Sequence, residues 1–149
     1  MKMHTQQLVA CSILGALITA CKVVAPAINA SFLSEQNGII TVKSSGAGKS
    51  EEQAKSEAEK NAISTLLFRG FPESSQKTPL AGYREEEITG RHSSYFRQLY
   101  RQKRYLSFLT SSRPVSRYAN KALTVEVSIN LRALRADLEA NGVIRKFGY

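Results

Sequence analysis

Apolar residues occupy every second position near the carboxyl end, where Leu123, Val125, Val127, Ile129 and Leu131 alternate with Thr124, Glu126, Ser128 and Asn130. A period of two predicts a strand with one buried and one polar face, the form that antiparallel sheets favour. A period of three to four governs an earlier stretch, in which Ala54, Ala58, Ala62, Ile63, Leu66 and Leu67 recur on one side of a helix. The alanines make a flat stripe able to lie close on a sheet. Ser50 is a good N-cap, Gln53 completes a capping box, and Glu51 and Glu52 fall in the first turn, where the helix dipole favours anions. Gly70, with Pro72 just beyond it, is a helix stop. Ahead of this helix, Ile39, Ile40, Thr41 and Val42 read as a short strand, and residues 43–50 as a small-residue hinge in which Gly46 and Gly48 let the chain reverse.

The remaining pattern is weaker. Residues 95–103 suit a short helix with Phe96, Leu99 and Tyr100 inward, residues 105–110 a strand, and residues 111–114 a turn. Asn130 can cap a helix running to Ala140, with Leu131, Leu134 and Leu138 as its inner stripe and Asn141-Gly142 as its stop. Residues 143–149 are expected as an edge strand or a loose tail. Residues 79–89 give little pattern. The run Glu85-Glu86-Glu87 there reads as a solvated face or a guarded strand edge, since consecutive carboxylates do not converge on one ion without a loop. Together the elements predict a two-layer α+β domain over residues 39–149, a mostly antiparallel sheet with helices packed on one face.

The amino terminus has a different character. Lys2 precedes an uncharged apolar run over residues 8–20, the length of a signal-peptide core and too short to span a bilayer as a helix. The run ends at Ile18-Thr19-Ala20-Cys21, which resembles the lipobox of bacterial lipoproteins. By that resemblance Cys21 is the acylated first residue of the mature protein, with the several acyl chains that stable anchoring requires. Leu8-Val9-Ala10-Cys11 also fits, after too short an apolar run. The alternative is ordinary secretion with cleavage after Ala27 or Ala30. Lys22 is not the acidic residue associated with inner-membrane retention, so the outer membrane, facing the periplasm, is the expected location, and a soluble periplasmic or secreted protein the alternative. Residues 1–21 are thus read as leader and residues 22–38 as a flexible tether. Both cysteines lie at or before residue 21, so the domain holds neither an internal disulfide nor a thiolate metal site.

A strand, a Gly-x-Gly turn and a helix with alanine every fourth residue, over about residues 39–68, resemble the small envelope lipoproteins of the twenty-kilodalton family and the amino-terminal domain of flagellar assembly protein T. The ending over residues 141–148 resembles that of small uncharacterised exported proteins of Gram-negative bacteria. These resemblances imply a fold and a compartment, and no catalytic motif comes with them. Gly48-Lys49-Ser50 is also the tail of a phosphate-binding loop. Lys43 stands where that motif needs its first glycine, and Glu51 and Glu52 would repel a phosphate at the helix end. No nucleotide and no cofactor or metal is therefore expected.

Charge changes the picture most in the middle of the chain. The chain of 149 residues has 42% hydrophobic and 22% charged residues, enough for one core, but its net charge is +9. No acidic residue occurs from Ile88 to Val125, and Arg91, Arg97, Arg101, Lys103, Arg104, Arg113 and Arg117 form a candidate anionic-ligand surface there, interleaved with aromatics. The aromatics fall at core-compatible spacing and no nucleic-acid-binding motif is present, so nucleic acid is not the expected partner. Lipopolysaccharide, anionic lipid or an acidic protein is. His92 and Asp137 could in principle join a serine in a triad, but no nucleophile-elbow motif accompanies them. The expectation is a non-enzymatic, lipid-anchored envelope protein with a structural or docking role, its partner an envelope protein or further copies of itself. The alternative is a cationic module that binds an anionic envelope ligand.

Overall fold

The computed structural model of the protein describes residues 30–146. The leader, Cys11 and Cys21, the cleavage points before Ala30 and the last three residues of the expected edge strand lie outside the described residues. The elements run β1 (Ala30–Gln36), β2 (Ile39–Ala47), α1 (Glu51–Phe68), α2 (Glu85–Arg91), α3 (Ser93–Tyr100), β3 (Leu109–Pro114), β4 (Ala122–Asn130) and α4 (Leu131–Ala140). The strands form one antiparallel sheet in the order β1-β2-β4-β3. Alternation on β2 and β4 buries Ile40, Val42, Ser44, Leu123, Val125, Val127 and Ile129 on the same face, and α1 lies across those two central strands. The other face is polar and carries the cross-strand hydroxyl pairs Thr41–Ser128 and Ser45–Thr124, each at 2.9 Å. The two-layer α+β architecture is the one expected. Among the described residues, no helix is long and apolar enough to cross a membrane.

The largest departure is at the start. The tether expected over residues 22–38 is, from Ala30 onward, the first arm of a hairpin. Asn37 (φ 54°) and Gly38 (φ 77°) form its two-residue turn, and Gln36 pairs with Ile39. A bulge at Leu33, between Phe32 and Ser34, breaks the alternation of β1, so its sequence carries no clean period of two. The strand expected over 105–110 begins only at Leu109, after a 3-10 turn, Arg104–Phe108, that buries Tyr105 and Phe108, and the expected turn over 111–114 lies inside β3. Residues 143–146 add no strand.

The hinge also works differently from the expectation. Gly46 lies within β2, and neither Gly46 nor Gly48 has a positive φ. What requires glycine is proximity: a Cβ on Gly46 would stand 2.2 Å from the Ala58 nitrogen and 2.4 Å from the Ala54 oxygen. A Cβ on Gly48 would stand 2.6 Å from the Ala54 nitrogen. With α1 this close, Ser44 Oγ donates to the Ala58 carbonyl (2.7 Å) and Asn61 Nδ2 to the Ser45 carbonyl (2.9 Å). At the far end Gly70 takes φ +75°, and the carbonyls of Leu66 and Leu67 accept from the Leu80 and Ala81 amides.

Candidate functional site

The hinge before α1 has its amides engaged by the protein. Gly48 N–H donates to the Lys121 carbonyl (2.9 Å), Lys49 N–H to Gln53 Oε1 (3.1 Å) and Gln53 N–H to Ser50 Oγ (3.3 Å). Tyr118 Oη donates to the Gly48 carbonyl (2.7 Å), tying the β3–β4 connection to this turn. The Ser50 cap is the one expected, although Gln53 reaches Lys49 rather than Ser50. Beside it lies a cleft of about 510 Å³ lined in part by Ser50, Gln53, Ser56, Lys60 and Lys103, with Glu52 and Glu57 also on its wall. That mixture of signs gives the cleft no clear preference for an anion.

The basic middle of the chain does not form one surface. Arg91 pairs with Glu87 (2.7 Å) and Arg113 with Glu126 (2.7 Å). Arg104 is ion-paired with Asp137, whose other oxygen accepts from Tyr95 Oη at 2.8 Å. Asp137 therefore joins α4 to α3 and the 3-10 turn, and no hydrogen bond links it to His92. Lys103, at φ 57°, faces the cleft at the start of α1, and Arg117 is in the loop before β4. Three of the seven predicted cations are thus neutralised locally, and two of the others stand apart.

Arg97 and Arg101 remain. α2 and α3 are nearly one helix: His92 N–H bonds to the Ile88 carbonyl (3.0 Å) and Phe96 N–H to the His92 carbonyl (3.1 Å) through the joint at His92. Along this segment Thr89, Ser93, Arg97 and Arg101 recur every fourth residue and share a face. Phe96 and Tyr100, whose rings stack at 6.2 Å, border it, and these six residues line a groove of about 400 Å³. Phe96 also packs on Phe68 at 5.8 Å and on Tyr95 at 5.3 Å, so the segment is docked against the end of α1. The inward side is Tyr95, Phe96 and Leu99; Tyr100, expected inward, is only half-buried. Neither Arg97 nor Arg101 has a carboxylate partner among the described residues, and both are exposed.

A second polar cluster had no counterpart in the sequence reading. Glu59, on α1, is only 5% exposed. It accepts from Ser112 Oγ of β3 (2.6 Å) and from Tyr105 Oη of the 3-10 turn (3.4 Å), with Lys55 Nζ at 3.9 Å. Its signal was available: Glu59 stands four residues before Ile63, on a ridge beside the buried alanine stripe.

Burial raises the phenol pKa values of Tyr95, Tyr100 and Tyr105 above their ordinary value; the neighbouring carboxylates Asp137, Glu85 and Glu59, respectively, add to this. The folded protein keeps these protons after the unfolded chain begins to lose them near about pH 10. Their contribution is complete below that pH and is lost as pH rises through the folded-state values. The denaturant midpoint is therefore expected to fall as pH rises from about pH 10 to about pH 12. The Tyr100 hydroxyl is buried close to Ser64 but makes no hydrogen bond. Tyr100→Phe should thus leave stability at neutral pH within roughly 0.5 kcal/mol of the parent, or above it, and make the alkaline decline shallower. Urea titrations of both proteins across that range check this.

Compared with known proteins, the chain matches no family model, no curated protein and no solved structure.

Proposed function

We propose that this is an exported protein held at a membrane by a lipid on Cys21, with its α+β domain acting as a docking or structural part rather than a catalyst. The observation that carries the reading is the uncharged run over residues 8–20 ending at Ile18-Thr19-Ala20-Cys21, followed by a cysteine-free domain. The resemblance to small envelope lipoproteins supports the same compartment, and Lys22 favours the outer membrane, on its periplasmic side.

The fold adds a geometric consequence. The sheet begins at Ala30, which is buried and paired with Ser44, so a cut after Ala30 would remove the first residue of β1. A chain anchored at Cys21 has only residues 22–29 before the domain, a reach of at most about 30 Å when fully extended. The domain would then sit beside the bilayer rather than on a long leash.

Intact mass and fractionation of the natively expressed protein, beside Cys21→Ala, test the proposal. The expected result is a diacylglyceryl-bearing chain starting at residue 21 in the membrane fraction, with the variant released. A soluble chain starting at Ile28 or Ser31 overturns it.

A further inference from the structure

We propose that the α2–α3 face bearing Arg97 and Arg101 binds the phosphomonoester headgroup of a membrane lipid. The proposal deepens the docking role, and it rests on the anchored reading only for the source of the phosphate, the adjoining bilayer.

Four features of the face point to this ligand. Its two guanidiniums stand one helical turn apart, a separation of roughly 6 Å between their Cβ atoms, so both can reach one group. Each offers a planar fork of donors that matches phosphate oxygens in pairs. Neither is neutralised by a carboxylate among the described residues, in contrast to Arg91, Arg104 and Arg113, so a ligand need not displace an internal partner. Ser93, on the same ridge between Thr89 and Arg97, adds a hydroxyl donor, whereas the Thr89 hydroxyl already donates to the Glu85 carbonyl at 2.8 Å.

The shape favours a small headgroup over a protein. A groove of about 400 Å³ is in the size range of small-molecule sites. A stable protein partner would bury on the order of 800 Å² of a continuous surface. The stacked rings of Phe96 and Tyr100 give the groove an apolar border for the carbon part of a headgroup. A monoester is favoured over a diester because it carries up to two charges and three terminal oxygens. Two forks and a hydroxyl supply more donors than a singly charged diester can use.

The test uses the mature chain without its anchor, residues 22–149, which carries neither an acyl chain nor the apolar run over residues 8–20, so vesicle binding reads the domain itself. Flotation is measured with phosphatidylcholine vesicles containing phosphatidic acid, and with vesicles of equal surface charge containing phosphatidylglycerol. The expected result is preference for phosphatidic acid, lost by roughly tenfold when Arg97→Gln and Arg101→Gln are added. Arg117→Gln with Arg145→Gln removes the same charge elsewhere and should retain the preference. Equal binding to both vesicle types, or equal losses in the two double variants, overturns the site. Free glycerol 3-phosphate should compete only weakly; release at concentrations equivalent to the lipid would overturn the membrane source and leave a soluble phosphomonoester as the ligand. Both arginines are exposed, so unchanged thermal melts confirm that each variant is folded. Whether Cys21 is acylated natively is decided by mass alone, so a failed anchor and a failed site are told apart.

Discussion

Gly46→Ala is expected to cost about 3 kcal/mol or more, a large fraction of the stability of a domain this size. The added carbon would stand 2.2 Å from the Ala58 nitrogen, 2.4 Å from the Ala54 oxygen and 2.8 Å from the Ala58 Cα. All three are backbone atoms of α1, so no side chain can swing aside and the helix itself must lift. Lifting it lengthens the Ser44–Ala58 and Asn61–Ser45 hydrogen bonds. It also opens a gap under Ala54, Ala58 and Ala62, each fully buried. The same substitution at Gly90, in α2, meets nothing within 4 Å and is expected to stabilise by roughly 0.5–1 kcal/mol, because alanine restricts the unfolded chain. Chemical denaturation of the two variants gives opposite signs if the close approach of helix and sheet is the reason for Gly46. Matching signs would refute that account.

The contrast between these glycines shows how far the sequence could be read. The alanine stripe announced a helix lying close on a sheet, and the alternation over 123–131 announced a half-buried strand; both are present as expected. The neighbouring Gly-x-Gly looked like turn chemistry because glycine has two uses, conformational freedom and absence of bulk, and composition does not separate them. At Asn37-Gly38 the local signal for a hairpin was strong, yet the strand before it was hidden by the bulge at Leu33, which shifts the side-chain phase midway. In the basic middle, the absence of acids over 88–125 was legible but its consequence was not. The carboxylates that neutralise Arg91, Arg104 and Arg113 come from residues 87, 137 and 126, on either side of that stretch. Glu87 meets Arg91 within one turn of α2, but only the fold brings Asp137 to Arg104 and Glu126 to Arg113, and only then do Arg97 and Arg101 stand out. Tyr105 and Phe108 had the composition of a strand, and their burial in a 3-10 turn beneath β3 is a tertiary outcome that local propensity does not determine.

Glu59→Ala is expected to destabilise by about 2–4 kcal/mol, with the effect centred on β3. β3 is an edge strand, hydrogen-bonded to β4 alone, so its attachment to the helical layer depends on side chains. Ser112 reaches Glu59 Oε1 at 2.6 Å, and Tyr105 bridges Glu59 and Ser56, the latter at 2.9 Å. Removing the carboxylate leaves Ser112 without its acceptor and a void beside Tyr105, while Tyr105 keeps Ser56. Glu59→Gln retains an oxygen for Ser112 and should cost only about 1 kcal/mol, since the bond becomes a neutral one. The cycle with Ser112→Ala isolates the link: in the Glu59→Ala background that second change removes an already unpartnered hydroxyl and should cost less than it does alone, a coupling of about 1–2 kcal/mol. Hydrogen exchange locates the effect, because a β3 held by Glu59 exchanges faster in Glu59→Ala while the β1–β2 hairpin amides change only with global stability. Additive energies in the cycle, with uniform exchange across the sheet, would reduce Glu59 to a tolerated buried charge and leave β3 held by its backbone bonds to β4.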